Sequence, residues 1–327
     1  MMSKAIRIHE HGGPEVLKYE EVDPGKPGRS EVLIEHSAIG LNFIDVYFRT
    51  GLYPPPGGSL PITPGGEGAG KVLEVGEGVG DLKPGDRVAY AAGTGSYAER
   101  RVIAADRLVK VPDGISDEIA AGMMLKGMTA EYLLRRTFKV KKGDTILFHA
   151  AAGGVGLIAG QWAKHLGAVT IGTAGSAEKV ALAKAHGFDH VINYREQDFV
   201  EEVKKITGGK LCEVVYDSVG KDTFEGSLNC LKPIGLLALF GASSGPVPPF
   251  NLGVLAQKGS LYITRPTLFT YVAARADLVQ SANALFDVVK SGAVKIEVKQ
   301  RYKLADVAEA HRDLEGRKTT GVTVFVP

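Results

Sequence analysis

A glycine-rich turn carries the strongest chemical signal in the sequence. The segment Ala151–Gly156 directly follows the apolar run Thr145–His149 and opens the helical pattern Val155–Leu166. Such a turn lets the backbone approach a pyrophosphate closely, while the helix N-terminus offers N–H groups and the positive end of its dipole to the phosphates. Alanine replaces the first glycine of the usual fingerprint, but strand, turn and helix in this order predict a dinucleotide site. The expected contacts come from Ala152, Gly153, Gly154, Val155 and Gly156.

The end of the second predicted strand distinguishes the two nicotinamide cofactors. An NAD protein places an acidic residue there, where it binds the ribose 2′-hydroxyl. Here the strand Val169–Thr173 is followed by small residues and has no acidic residue at its tip. Gly175 leaves room for a 2′-phosphate, Ser176 can donate a hydrogen bond to it, and Lys179 can reach it, with a solvated helix face as the alternative for Lys179. The sequence therefore predicts NADPH rather than NADH.

Two further loops follow predicted strands of the same sheet. Asp217–Gly220 ends the fourth strand, and Phe240–Gly245 ends the fifth. Ligands of open α/β sheets bind beyond the carboxyl ends of the strands, so these loops are expected to face the nicotinamide ribose. Ordinary glycine and serine turn chemistry is the alternative interpretation. The candidate residues are Ser218, Phe240, Gly241 and Ser243.

The predicted elements divide the chain into parts of different character. The first 125 residues are predicted as strands and turns with one short helix at Phe43–Arg49, because glycine and proline punctuate short β-like runs. From about residue 126, apolar runs alternate with helical periodicity, which predicts βαβ units and a parallel, doubly wound sheet of the α/β class. After about residue 265, two helical patterns and the strand Val322–Val326 follow, and this tail is expected to pack on the first domain.

Composition excludes several classes of protein. The 327 residues carry 39 basic and 37 acidic side chains, a net charge of +2, without a polybasic run. This argues against a dedicated nucleic-acid or membrane-surface protein. Two cysteines are too few for a disulfide framework or a thiolate zinc site. The N-terminal residues show no secretory signal pattern and no apolar run could span a bilayer, so the expected location is the cytoplasm.

Several motifs together resemble one family. They are His9–Pro14, Gly40–Asp45, Gly51–Pro54, Lys126–Ala130, Ala151–Gly156, Asp217–Asp222 and Arg265–Leu268. Over essentially its whole length the chain resembles the zeta-crystallin-like quinone oxidoreductases, a zinc-free branch of the medium-chain dehydrogenase/reductase superfamily. The resemblance implies a GroES-like, β-rich catalytic domain formed by residues 1–125 and 266–327. It also implies a Rossmann NADPH-binding domain formed by residues 126–265, and a homodimer.

The same resemblance implies roles for individual residues. The pocket candidates are Asn42, Asp45, Tyr47, Tyr53 and Thr63. Asn42 would donate to a substrate carbonyl, and Asp45 would orient its neighbours. Tyr47 or Tyr53 would donate a hydrogen bond or a proton, with packing in the helix or beside the loop prolines as the alternative for each. Near the cofactor, the resemblance implies Lys126, Thr129, Tyr194 beside the adenosine phosphate, Arg265 at the pocket or nicotinamide end, and Arg317 towards the 2′-phosphate. A solvated surface charge is the alternative for Arg317.

Three positions in the sequence indicate whether the protein could bind zinc. Zinc alcohol dehydrogenases of this superfamily carry ligands where this chain has Asn42, Gly66 and Leu125. An amide, a hydrogen and an alkyl group do not provide the sulfur, nitrogen or carboxylate ligands that zinc requires. The sequence therefore predicts no metal.

Without a Lewis acid, the substrate must already be electrophilic. We expect an NADPH-dependent reductase of a small quinone without metal or flavin, with one- and two-electron routes both open. The alternative on the same scaffold is a reductase of α,β-unsaturated ketones or aldehydes. A non-enzymatic NADPH- or RNA-binding protein has less support, because the sequence shows neither a basic stripe nor an RNA-recognition motif.

Overall fold

The computed structural model describes residues 2–327, which form two compact units. The first comprises the residues through Met128 with Val272–Phe286 and Ile296–Pro327, and the second comprises Thr129–Tyr271 and Asp287–Lys295. The strands are β1 (Ser3–Arg7), β2 (Lys18–Val22), β3 (Glu31–Gly40), β4 (Glu67–Val75), β5 (Arg87–Ala91), β6 (Arg100–Ala104), β7 (Val109–Lys110), β8 (Thr145–Phe148), β9 (Val169–Ala174), β10 (His190–Asn193), β11 (Cys212–Asp217), β12 (Leu231–Leu239), β13 (Tyr262–Thr264), β14 (Val298–Lys303) and β15 (Val322–Val326). The helices are α1 (Phe43–Thr50), α2 (Asp117–Tyr132), α3 (Gly154–His165), α4 (Ala177–Ala185), α5 (Phe199–Thr207), α6 (Phe224–Asn229), α7 (Gly253–Gln257), α8 (Leu268–Tyr271), α9 (Arg275–Lys290) and α10 (Val307–Glu315). Short 3-10 turns occupy Pro14–Val16, Pro56–Gly58, Ala105–Arg107 and Leu304–Asp306, and one π-helical turn occupies Leu133–Thr137.

The second unit is built on a parallel, six-stranded sheet in the order β10-β9-β8-β11-β12-β13. Numbered along the chain from β8, this is the order 3-2-1-4-5-6 of dinucleotide-binding Rossmann domains. Leu147, Ile171, Val215 and Leu237 lie in its core with no exposed surface. Helices cover both faces of such a sheet, so its strands are apolar throughout rather than alternating. The predicted doubly wound α/β sheet is confirmed.

The first unit contains a seven-stranded sheet in the order β14-β15-β3-β4-β5-β7, with β6 also paired to β3. The ten-residue strand β3 bears the most partners, because β15, β4 and β6 all pair with it in antiparallel fashion. Val324 and Phe325 of β15 lie opposite Gly40 and Ile39 of β3. The last strand of the chain therefore reaches the strand that leads into α1. Within residues 2–327, every helix is too short or too polar to cross a lipid bilayer.

Helix α2 corrects the prediction that the first 125 residues contain strands and turns with one short helix. It begins at Asp117 and is buried on most of its surface. A helix buried all round lacks the polar face that gives an amphipathic pattern, so periodicity does not reveal it. Gly122 and Gly127 lower the helix propensity further, yet each is needed for packing. A Cβ on Gly127 would lie 2.5 Å from a Leu285 methyl group, and one on Gly122 would collide with Val322.

Candidate active site

The glycine-rich turn joins β8 to α3 in the second unit. Ala150 takes the left-handed backbone conformation (φ 54°) on which the tight turn depends, one residue before the alanine that replaces the first glycine. Two backbone hydrogen bonds hold the turn in place. The Ala151 N–H donates to the Thr173 carbonyl (2.9 Å), and the Gly153 N–H donates to the Ala150 carbonyl (2.9 Å). The structure thus places a well-held turn at the carboxyl edge of the sheet, directly before α3.

Two of the three glycines in Ala151–Gly156, Gly153 and Gly156, have different surroundings. A Cβ on Gly156 would lie 2.5 Å from the carbonyl oxygens of both Ala150 and Ala151, so only glycine allows α3 to pack this closely on the turn. A Cβ on Gly153 would meet only the Ala150 carbonyl oxygen, at 3.1 Å, and would otherwise enter open space. One glycine therefore serves packing and the other leaves the backbone open to a ligand. This division of roles fits a pyrophosphate at the N-terminus of α3.

Four predicted cofactor residues come together beyond β9 and β10. Ser176 caps α4, where its hydroxyl accepts the Lys179 N–H (3.3 Å). The backbone N–H of Tyr194 donates to the Ala174 carbonyl (3.1 Å), which brings the end of β10 beside the end of β9. A Cβ on Gly175 would lie 2.5 Å from the Tyr194 hydroxyl oxygen. Gly175, Ser176, Lys179 and Tyr194 thus line one edge of the unit.

The loops after β11 and β12 are bound to each other. The Ser243 N–H donates to the Ser218 carbonyl (3.1 Å), and a Cβ on Gly241 would lie 2.6 Å from the same oxygen. The Phe240 ring contacts the Phe148 ring at the end of β8, with 5.5 Å between centroids. The four candidates Ser218, Phe240, Gly241 and Ser243 therefore lie together at the carboxyl ends of the central strands.

His149 belongs to a closed buried network. The Ser227 hydroxyl donates to the Asp217 carboxylate (2.7 Å), so its oxygen accepts from His149 Nε2 (3.0 Å). Nδ1 of His149 then accepts from the Thr173 hydroxyl (3.0 Å). Burial lowers the pKa of His149, and the nearby Asp217 only partly opposes this. The serine proton is directed to the carboxylate rather than to the imidazole, so this trio is structural rather than a nucleophilic triad.

In the first unit, the fully buried carboxylate of Glu67 accepts hydrogen bonds from three donors. It accepts from Asn42 Nδ2 (2.9 Å), the Leu125 N–H (2.6 Å) and the Lys126 ammonium group. Lys126 is itself buried, so the pair is a buried salt bridge. The amide of Asn42, which the sequence predicts as a donor to substrate, donates here to Glu67. Sequence reasoning did not select Glu67, although it ends the Gly65-Gly66-Glu67 triplet.

Asp45 lies at the start of α1 and ends a chain of buried side chains. Its Oδ2 accepts from the Asn42 N–H (2.9 Å) and from the Tyr97 hydroxyl (2.7 Å). Beyond Tyr97 lie His311 of α10 and then Arg49, whose guanidinium group also forms a two-pronged ion pair with Glu315. Burial raises the pKa of Asp45 to about 7 and lowers that of His311 to about 3.

The remaining pocket candidates are aromatic or lie in loops. The Tyr47 and Tyr53 rings touch each other, with 5.1 Å between centroids. Tyr47 is buried on α1, whereas Tyr53 lies in the loop after it and is half-buried. Thr63 is half-buried, and its carbonyl accepts the Gly95 N–H (2.8 Å).

The last three cofactor candidates differ in exposure. Thr129 is buried on α2. Arg265 is exposed directly after β13. Arg317 is exposed after α10 and has a left-handed backbone (φ 58°).

Comparison with known proteins identifies the family. The model described as alcohol dehydrogenase GroES-like domain matches residues 28–113, and that described as zinc-binding dehydrogenase matches residues 154–282. A quinone oxidoreductase of Pseudomonas aeruginosa is 54% identical over 327 residues, with 100% of both chains covered. The chain belongs to the quinone oxidoreductase family. The family resemblance and the GroES-like domain predicted from the sequence are confirmed.

Two further proteins are also similar to this chain: a second quinone oxidoreductase and a protein named as a reductase. The crystal structure of Escherichia coli quinone oxidoreductase complexed with NADPH matches with a TM-score of 0.97 at 52% identity, covering 99% of this chain and 100% of that chain. A protein from Burkholderia sp. named 2-haloacrylate reductase is 46% identical over 331 residues, covering 100% of this chain and 99% of the relative.

In this quinone oxidoreductase family member, the three positions that hold zinc in the alcohol dehydrogenases converge. A Cβ on Gly66 would lie 2.9 Å from Leu125 Cδ1, and Asn42 is hydrogen-bonded to Glu67, the residue after Gly66. The side chains present there offer no set of metal ligands. Across the described part of the chain, no group of three His, Cys, Asp or Glu side chains is arranged to hold a metal ion.

Proposed function

We propose that this protein is an NADPH-dependent quinone reductase that works without metal or flavin. The observation that carries the proposal is a full-length match to quinone oxidoreductases in which Asn42, Gly66 and Leu125 stand at the zinc positions. Without a Lewis acid to polarise a carbonyl, the site suits an acceptor that is already electrophilic. A quinone meets this requirement because its reduction yields an aromatic ring.

The second unit would hold NADPH. The backbone from Ala152 to Gly156 would bind the pyrophosphate, and Gly175, Ser176, Lys179 and Tyr194 would bind the adenosine phosphate end. Ser218, Phe240, Gly241 and Ser243 would border the nicotinamide ribose. When bound, NADPH supplies a hydride from its nicotinamide ring, and the protein contributes binding, orientation and exclusion of water. The NADPH-bound Escherichia coli relative supports this assignment.

The first unit would supply the substrate pocket. We assign Asn42, Asp45, Tyr47, Tyr53 and Thr63 to it. Lys126 of the first unit and Thr129 of the second are assigned to the cofactor. Arg265 and Arg317 would complete the cofactor site at the nicotinamide and 2′-phosphate ends. We assign the catalytic domain to residues 1–125 and 266–327 and the NADPH-binding domain to residues 126–265. These bounds differ from the two compact units at residues 126–128, 266–271 and 287–295.

The direct test is NADPH oxidation followed at 340 nm with one simple quinone and one enone, repeated with NADH. Quinone turnover with a preference for NADPH supports the proposal. Enone turnover alone would move the protein to the double-bond reductases. Bound NADPH without any turnover would contradict an enzymatic role.

Reduction of an activated double bond is the second candidate function. The 46% identical relative named 2-haloacrylate reductase favours it. Hydride addition to such a substrate leaves a carbanion or enolate that must be protonated, and Tyr47 and Tyr53 are the candidate donors. If quinones turn over and enones do not, this function is excluded.

Lys179→Ala should change cofactor selectivity. Losing one charge-assisted hydrogen bond of about 1.5–3 kcal/mol should weaken NADPH binding about 10- to 150-fold and leave NADH binding nearly unchanged, because only NADPH carries the 2′-phosphate. Lys184→Ala is the matched control, since Lys184 is exposed on the same helix, α4. Fluorescence titration with both cofactors measures the effect. Equal loss for NADPH and NADH would show that Lys179 does not contact the phosphate.

A homodimer formed along β13 is the expected assembly. This strand ends the six-stranded sheet, and Tyr262 on it is 61% exposed. Ile234 and Leu252 of the same unit are 68% and 71% exposed. An edge strand of this kind favours pairing with a second copy, and exposed apolar residues on the same unit favour an interface between copies. Analytical ultracentrifugation should give twice the chain mass for the wild type and a monomer for Tyr262→Pro.

The cytoplasmic location and the lack of a nucleic-acid role stay predictions from the sequence.

A further inference from the structure

Arg49, His311, Tyr97 and Asp45 form a continuous chain of hydrogen bonds inside the first unit. Arg49 Nη1 lies 3.0 Å from His311 Nδ1, His311 Nε2 lies 3.1 Å from the Tyr97 hydroxyl, and that hydroxyl lies 2.7 Å from Asp45 Oδ2. None of the four side chains is more than 1% exposed. The proposed function assigns no role to Arg49, His311 or Tyr97, and it gives Asp45 no step of its own.

Arg49 sets the direction of every bond in this chain. A guanidinium group only donates, so Nδ1 of His311 must accept and the ring proton must lie on Nε2. Nε2 then donates to the Tyr97 oxygen. The single proton of the Tyr97 hydroxyl is therefore directed to Asp45 Oδ2.

The two oxygens of Asp45 are consequently different. Oδ2 accepts both the Tyr97 hydroxyl and the Asn42 N–H, whereas Oδ1 is buried and has no hydrogen-bond partner among residues 2–327. A proton on Asp45 belongs on Oδ1, since Oδ2 already receives two donors. Oδ1 lies beside Gly66, because a Cβ there would be 3.6 Å from it.

We propose that Asp45 is the proton donor for quinone reduction and that Tyr97 and His311 are positioning residues that keep its proton on Oδ1. The inference rests on the proposed function. After the quinone has received a hydride with two electrons, the Oδ1–H bond of Asp45 breaks and its proton forms an O–H bond on the quinone oxygen. The product is the hydroquinone, the cofactor is oxidised by two electrons, and solvent returns one proton to the Asp45 carboxylate.

The pKa of Asp45 lies near neutral pH, whereas the pKa values of Tyr97 and His311 in the same chain of hydrogen bonds do not. Burial raises the pKa of Asp45 to about 7, the Tyr97 and Asn42 hydrogen bonds and the Lys126 charge oppose this, and Glu67 adds to it. Burial holds the pKa of Tyr97 well above 10, and burial with the Arg49 charge lowers that of His311 to about 3. Because the donor must be protonated, quinone reduction should fall as the pH rises through about 7.

Asp45→Asn and Tyr97→Phe test the role, with Tyr90→Phe as the matched control. Tyr90 is also fully buried and hydrogen-bonded to a buried histidine, His36 (2.6 Å). Asp45→Asn should slow quinone reduction about 10²- to 10⁴-fold, leave NADPH affinity unchanged and remove the loss of rate at high pH. Tyr97→Phe should move that loss to higher pH, since it removes a hydrogen bond that stabilises the carboxylate. Tyr90→Phe should leave the pH at which the rate falls unchanged.

Infrared spectroscopy provides a readout that does not depend on turnover. The wild type should show the C=O band of a protonated carboxyl group that disappears as the pH rises through about 7. Asp45→Asn should lack this band, and in Tyr97→Phe it should persist to higher pH. Quinone reduction by Asp45→Asn at the wild-type rate and with the wild-type pH profile would overturn the donor role alone. A wild type that shows the band but reduces no quinone would overturn the proposed function and the donor role with it.

Discussion

Gly156→Ala is expected to weaken NADPH binding by about 5- to 150-fold. The added Cβ would lie 2.5 Å from the carbonyl oxygens of Ala150 and Ala151, which are backbone atoms of the turn itself. Relief requires α3 to move away from the turn, and overpacking of this kind costs about 1–3 kcal/mol. The displacement falls on the N–H groups that would bind the pyrophosphate, so the strain appears as lost affinity.

Titration of NADPH fluorescence measures this loss, and a thermal melt separates it from global unfolding. Gly80→Ala is the control, because a Cβ on Gly80 would meet no atom within 4 Å. It should leave both affinity and melting temperature unchanged. Wild-type affinity in Gly156→Ala would show that the close contact between α3 and the turn does not shape the cofactor site.

Lys126→Met is expected to destabilise the protein by about 3–5 kcal/mol. The substitution removes the ammonium partner of Glu67, whose side chain has no solvent exposure. Asn42 and the Leu125 N–H still donate to Glu67, but the buried negative charge loses its counter-charge. Breaking a buried ion pair on one side carries a penalty of this size because the remaining charge is not solvated.

The double variant Lys126→Met with Glu67→Gln should regain most of this loss, because it removes both charges. Lys232→Met is the control, since Lys232 pairs with Glu213 at a partly exposed site and should lose about 1 kcal/mol or less. Urea unfolding curves measure all three. A single variant as stable as the wild type would show that Glu67 takes up a proton or gains water at little cost.

Local patterns were sufficient for the first βαβ unit of the parallel sheet. The predicted elements Thr145–His149, Val155–Leu166 and Val169–Thr173 match β8, α3 and β9 to within one residue at each end. The strand β14, in contrast, carries Lys299, Arg301 and Lys303 and was not predicted. Its alternating half-buried residues depend on pairing with β15 rather than on a strong pattern of its own.

The sequence by itself predicted the glycine-rich turn, the alternation of strands and helices in the doubly wound sheet, and the family, because each signal is built from motifs whose residues are neighbours in the chain. Only the tertiary structure brought Asp45, Tyr97 and His311 together, although 214 positions separate Tyr97 from His311. The antiparallel pairing of β15 with β3, and the packing of α10 before β15, carry His311 into the same interior as Asp45. Hydrogen-bond direction, burial and the orphaned Oδ1 are properties of that shared interior, and no local sequence pattern encodes them.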